Sequence, residues 1–494
     1  MNIVRRTFHN SLWLLGAQGV GRLCGVLVTM ALTRYLGIQD FGRYSLIYAY
    51  CGIFAVMTDI GIDAILVREA IRNPEKASSL LGNGMILKAA FSLLALPAVV
   101  AAARLMGVPA QSVCLILLAS LSFLASPLTL YGAMFQTRLR LQLPALFDLT
   151  GRLAALLFVF ASLFTGGGIG SIVLALLAAG WTQALLSVAV SRRFFRVSFR
   201  IDTGLCRRLV SQAWPLALNN LLIVLILRVD QVMIQRLHPQ GDSELGLYSA
   251  VVRYCELFHV LPAVYFATIF PVLSRLAERE DGAFRRLYTL STKYLTLTVV
   301  PVILFSICNA PRILSLLFGH AFAGAAGILQ ILVVSEIFVF LTWVVVNTAV
   351  SSGRQRLVPA LSLVGLVANV CLNLWLIPGH GARGAAAASL VSYGLVLPLT
   401  LTVGALRPVA LAFLRTGVRP AAGALLLGFL LHRIPLGIVF SGWVVFAGFP
   451  ALMVLFGSLG RADARLLGKA LDRTKPRPGA PVAEPTRPEP PHTR

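Results

Sequence analysis

The chain is poor in acid. Only 19 aspartates and glutamates stand against 43 lysines and arginines, and charged residues of both signs make up 13% of 494 positions, against 57% hydrophobic. A soluble domain of this length needs far more polar surface. Patterns that carry chemistry are missing too. There is no nucleophile elbow, no Walker loop, no HExxH and no Asp-x-Asp pair for a nucleotide-sugar metal, so neither an ATP motor nor an enzyme of these classes is expected, and no cofactor. The seven cysteines (Cys24, Cys51, Cys114, Cys206, Cys255, Cys308, Cys371) are scattered without metal-ligand or disulfide spacing. They read as small buried hydrophobes.

What is present is a succession of long apolar stretches. They cover roughly 11–33, 44–66, 82–103, 110–135, 144–165, 170–191, 213–235, 247–270, 289–310, 326–350, 357–377, 384–406, 417–432 and 436–458. Each is near the ~17–25 residues that a bilayer-crossing helix needs. The expected fold is therefore an all-α polytopic membrane protein of about fourteen transmembrane helices. The N-terminus has a basic start and an apolar run, like a signal peptide, but no small-x-small cleavage site follows. It reads as the first span.

The basic residues fall on alternate inter-helix segments. With Lys293 and Arg419, which fall just inside span ends, counted with their adjoining segments, one set holds 31 lysines and arginines and the other holds 7, the remaining five lying deeper within spans. A miscounted span would invert the alternation downstream, and no inversion occurs. The positive-inside rule assigns the rich set, with both termini, to the cytoplasm. The net charge of +24 is thereby explained by topology, so nucleic acid is not an expected partner. Anionic membrane lipids are.

The organisation is a repeat. Residues 41–54, FGRYSLIYAYCGIF, match 245–258, LGLYSAVVRYCELF, at Gly42/Gly246, Tyr44/Tyr248, Ser45/Ser249, Tyr50/Tyr254, Cys51/Cys255 and Phe54/Phe258. A second pair, from Arg138 and from Arg354, follows in order, and glycine clusters come after both. The matched helices are an even number apart, so the two six-helix repeats are parallel, related by an axis along the membrane normal. The expected domains are an N-terminal lobe (1–191), a basic cytoplasmic connector (192–212), a C-terminal lobe (213–406), two extra helices (407–459) and a Pro-rich tail (460–494) that cannot bury a core.

Charges inside spans mark candidate sites, because hydrocarbon does not tolerate them facing lipid. Arg22 lies near the middle of helix 1. Helix 7 carries Arg228 and Asp230, two apart and so unable to face each other. Helix 8 carries Arg253 and Glu256, three apart on one face. Helix 10 carries Glu336. Converging on the repeat axis, these six would shape a cationic cleft suited to an anionic headgroup, arginine being apt for bidentate phosphate contact. Structural ion pairing is the competing reading for each. Asp148 and Arg152, four apart, read as a local ion pair. Asp59 and Asp63 share a face, where capping or pairing with Arg68 and a proton or Na⁺ site both stay open.

Several runs together carry a resemblance. Thr33-Arg-Tyr-Leu-Gly37, Phe41-Gly-Arg-Tyr-Ser45 and Asp59-Ile-Gly-Ile-Asp63 come first. Arg228-Val-Asp-Gln231, Pro271-Val-Leu-Ser-Arg275 and Leu376-Ile-Pro378 with Gly381-Ala-Arg-Gly384 follow. Over about residues 8–405 the chain resembles bacterial polysaccharide-unit (Wzx-like) flippases of the multidrug/oligosaccharidyl-lipid/polysaccharide exporter superfamily. That resemblance implies two six-helix lobes, alternating access, and an undecaprenyl-diphosphate-linked oligosaccharide carried to the periplasmic leaflet. A glycan polymerase and assembly proteins would be its partners. The helix 1 pattern of the related lipid II flippases is broken by Val28 and Thr29, which favours another lipid-linked glycan over the peptidoglycan precursor. The competing functions are a cation-coupled multidrug exporter and a membrane glycan polymerase or ligase. The first should offer acidic and aromatic cavity groups, and the second a sizeable outward loop.

Overall fold

In the computed structural model the described residues are 3–138, 142–195, 197–277, 282–433, 437–458 and 460, with side chains described from residue 19 onward save those of 138, 432 and 433. The expected tail, apart from its first residue Gly460, lies outside them. Among these residues there are helices and no strands. The reason is the solvent: in hydrocarbon every backbone N–H and C=O must be satisfied within the segment.

The helices are α1 (Ile3–Asp59), α2 (Ile62–Arg72), α3 (Ala77–Leu105), α4 (Ala110–Ser120), α5 (Ser126–Met134), α6 (Gln142–Phe164), α7 (Ile169–Ser191), α8 (Thr203–Leu237), α9 (Gly241–Glu256), α10 (Val260–Ala277), α11 (Ala283–Phe318), α12 (Ala326–Ser351), α13 (Leu357–Gly394), α14 (Val396–Thr402), α15 (Arg407–Arg433) and α16 (Ile438–Leu455). Twelve stretches of the described residues are long and apolar enough to cross a membrane. Two of them run for 54 and 46 residues. At 1.5 Å per residue the longer would reach about 80 Å, far beyond a ~30 Å hydrocarbon slab. Both are broken at a glycine. α1 leaves helical geometry at Gly37 (φ 70°) and α13 at Gly381 (φ 55°), a left-handed region that glycine enters without a Cβ clash. Each therefore holds two crossings, which brings the twelve stretches to the fourteen expected helices. At the second break the freed Ala382 N–H donates to Glu244 Oε2 at 2.8 Å, which caps the continuing half of α13.

The parallel repeats meet at the positions their sequences share. A Cβ on Gly42 would collide with the carbonyl of Asp242, and one on Gly246 with the carbonyl of Ile38. Repeat-related glycines thus let α1 and α9 touch backbone to backbone, the small-residue packing usual between membrane helices. Arg43 closes the same end, reaching Asp242 at 3.0 Å and Asp40 at 3.1 Å. At the opposite end of the contact, Arg68 Nη2 donates to Gln212 Oε1 at 2.6 Å and Gly61 packs on Leu216.

The connector is fastened to the start of α3. Asn83 donates to the Arg200 carbonyl at 3.0 Å and accepts from the Asp202 N–H at 2.9 Å. Gly82 leaves room for the Ser198 carbonyl. Beneath it a core of Ile62, Leu66, Leu81, Phe135 and Phe147 joins the helices of the first repeat. By internal contacts the chain separates into one unit to Gly417, containing both repeats, and a second beginning at Val418, which contains α16.

A cationic cavity between the repeats

Arg22 lies twelve residues before Arg34, and Arg253 seven residues after Gly246. Since Arg34 and Gly246 belong to the closed end, the helical rise puts both arginines roughly 10–18 Å in from it, at bilayer depth. There the structure opens a cavity of about 330 Å³ lined by Arg22, Gly25 and Thr29 of α1, Arg152 of α6, and Arg253 and Glu256 of α9, with Leu317 and Phe318 at the end of α11. α1 and α6 come from the first repeat, α9 and α11 from the second.

Three positive groups share this space with one carboxylate, and Glu256 is already occupied. Its Oε2 accepts from Arg253 Nη1 at 2.9 Å and its Oε1 lies 3.3 Å from Arg228 Nη2. Arg228 passes beside Gly52 of α1 on its way to Glu256. Arg152 extends over Gly21, where a Cβ would strike its side chain, and its Nε donates to Asp148 at 2.9 Å. The local ion pair read from the sequence is present. The same arginine also faces the cavity, which spacing alone did not reveal.

The six sequence candidates separate into three groups. Arg22, Arg253 and Glu256 line the cavity, and Arg228 joins it through Glu256. Asp230 does not reach it. Its carboxylate, 4% exposed, accepts from Tyr248 Oη at 2.5 Å, Ser389 Oγ at 2.6 Å and Asn373 Nδ2 at 2.6 Å, and Asn373 also donates to Asn369 at 3.0 Å. This buried node ties α8, α9 and both halves of α13. Glu336 is equally buried and lies 3.1 Å from His259 Nε2. Sequence reasoning did not single out His259, although it stands three residues after Glu256. It also left Lys88 aside. That side chain, 2% exposed, lies 2.7 Å from Asp63 and 3.3 Å from Asp59, so these two aspartates pair with α3 while Arg68 turns to Gln212. Among the described residues no group of three or more His, Cys, Asp or Glu is placed to hold a metal.

A multi-helix bundle with two parallel repeats and a cavity lined from both defines the class. Solved structures share the fold. A structure titled "Lipid II flippase MurJ, inward closed conformation" superposes with a TM-score of 0.70 over 90% of this chain and 98% of its own, at 15% identity. An inward-facing multidrug-resistance MATE transporter of the MOP superfamily superposes at 0.63, over 84% and 96%, also at 15% identity. The chain shares the fold of these structures. At the sequence level, the family described as "Polysaccharide biosynthesis protein" matches residues 8–277, and a second family, MatE, matches 215–375. The chain belongs to the polysaccharide biosynthesis protein family. A Shigella flexneri protein named "Putative O-antigen transporter" is 21% identical over 402 residues, 76% of this chain and 92% of that one.

Proposed function

We propose that this multi-pass membrane protein is a non-enzymatic transporter that flips a polyprenyl-diphosphate-linked oligosaccharide. The load is an O-antigen, capsule or exopolysaccharide unit, moved from the cytoplasmic to the periplasmic leaflet of the inner membrane by alternating access. The observation that carries this reading is the cavity, where Arg22 of one repeat and Arg253 of the other line one space with Arg152. A diphosphate diester carries about two negative charges and is bound better by two forked guanidiniums than by one. The family match and the resemblance to a protein named as an O-antigen transporter support the glycan class. The glycan would pass along the cavity while the polyprenyl tail stays in lipid. A cationic cavity argues against the drug-exporter alternative, whose cationic substrates it would repel.

The test is export of lipid-linked glycan in cells carrying Arg22→Ala or Arg253→Ala, with protein level in the membrane measured alongside. Either alanine should abolish export at normal protein level. Arg→Lys should rescue it in part, since lysine keeps the charge and loses the fork. Wild-type export rates in both alanine variants would defeat the diphosphate reading.

A further inference from the structure

Beside the arginine cavity lies a second, small one of about 40 Å³, lined by Asp230, Cys255, Glu256, His259, Glu336 and Tyr393 among others. It is large enough for a water or two and polar enough to hold them. Glu256 borders both cavities. Toward one it binds Arg228 and Arg253. Toward the other it interacts electrostatically with His259, which also feels Arg22 across the repeat interface. His259 Nε2 lies 3.1 and 3.3 Å from the two oxygens of Glu336. The remaining acid in this cavity, Asp230, is held by Tyr248, Ser389 and Asn373. The buried Glu336 thus has a histidine as its ion-pair partner, whereas Glu256 has two arginines.

We propose that His259 and Glu336 form a proton-binding site that takes up a proton when a diphosphate occupies the neighbouring arginines. The inference rests on the diphosphate reading above and deepens it. In the empty site the pair holds one proton, as imidazolium with carboxylate or as imidazole with carboxylic acid. Losing it would leave a bare carboxylate in a low-dielectric interior, which is the least favourable state. Arg22, whose charge reaches His259 across the repeat interface, meanwhile opposes a second proton there, while Glu256, which favours it, has Arg253 and Arg228 on its two oxygens. A bound diphosphate brings about two negative charges against Arg22 and Arg253, so Arg22 no longer opposes the proton and the field at His259 turns negative. A proton from bulk water then joins the pair, giving imidazolium beside carboxylic acid. Release of the diphosphate expels it again. The coupling is reciprocal by linkage: a proton that binds better with the ligand present makes the ligand bind better at lower pH.

The experiment is calorimetric titration of the purified full-length protein with P1,P2-dimethyl diphosphate. All protons of this diester are already lost at neutral pH, so any uptake belongs to the protein. Titrations in two buffers of different ionisation heat give the protons taken up per ligand. Wild type should take up roughly half to one proton, and its affinity should fall by up to about tenfold per unit rise in pH. His259→Asn and Glu336→Gln, each first confirmed as monodisperse, should still bind the diester and lose the uptake. Binding without proton uptake in wild type, or uptake unchanged in both variants, overturns the linkage while leaving the diphosphate reading intact. Absence of any binding to wild type overturns both.

Discussion

Substitution of Gly42 by alanine tests whether the end closed by the repeat-related glycines opens during transport. The added methyl would sit on the carbonyl of Asp242, with the Gly246 nitrogen 3.0 Å away. Neither neighbour is the far end of a flexible side chain, so α1 and α9 must separate. Overpacking of this kind costs about 1–3 kcal/mol. The cost falls on the closed state alone, so the closed-to-open ratio should drop by about 5- to 150-fold. A single cysteine replacing Arg43, at the rim of this contact, would report the shift through its labelling rate with a membrane-impermeant maleimide, after the other seven cysteines are removed. Labelling should rise in the Gly42→Ala background and rise again with Gly246→Ala, since both methyls strike backbone. Gly19→Ala is the control, because nothing lies within 4 Å of its Cβ position. If labelling in Gly42→Ala matches the Gly19→Ala control, the contact does not gate this end. Export should fall in the same order as labelling rises.

Further outcomes follow from the same geometry. Asp230→Ala removes the shared acceptor of Tyr248, Ser389 and Asn373, and each donor left unpaired costs about 1–3 kcal/mol, so thermal unfolding of the purified protein should occur at clearly lower temperature. Asp230→Asn should fall in between, and an Asp230→Ala protein as stable as wild type would deny the node a structural role. Reporter fusions at Gly168 and at Arg494 should give signals from opposite sides of the membrane, because the basic residues place the first in the poor set and the second in the rich one. Like-sided signals would undo the span count and the parallel repeat together.

How much of the site was legible in the sequence depends on what each residue's partner is. Arg22, Arg253 and Glu256 were visible because the bilayer makes a lone charge costly wherever it falls in an apolar run. Arg152 was visible as a residue and not as a cavity group, since Asp148 one turn earlier already accounts for it. Lys88 was passed over because its partners, Asp59 and Asp63, are 29 and 25 residues away on other helices. His259 is uncharged in a composition count, so the rule that marks charges inside spans passed over it although it stands in the middle of 247–270.

By itself the sequence determined the helical class, the number of crossings, the repeat and the distribution of basic segments. These follow from quantities read along one chain: hydropathy over a bilayer's thickness, charge per segment, and self-similarity at a fixed offset. Only the tertiary structure decided that Gly42 and Gly246, equivalent in the repeat, pack on each other. It alone set Glu256 between two arginines and separated Asp230 and Glu336 from the cavity. Those outcomes depend on which faces of distant helices meet. Helix–helix contact in a membrane is chosen by close packing and side-chain pairing between segments, and helical periodicity fixes which residues share a face without fixing what that face will meet.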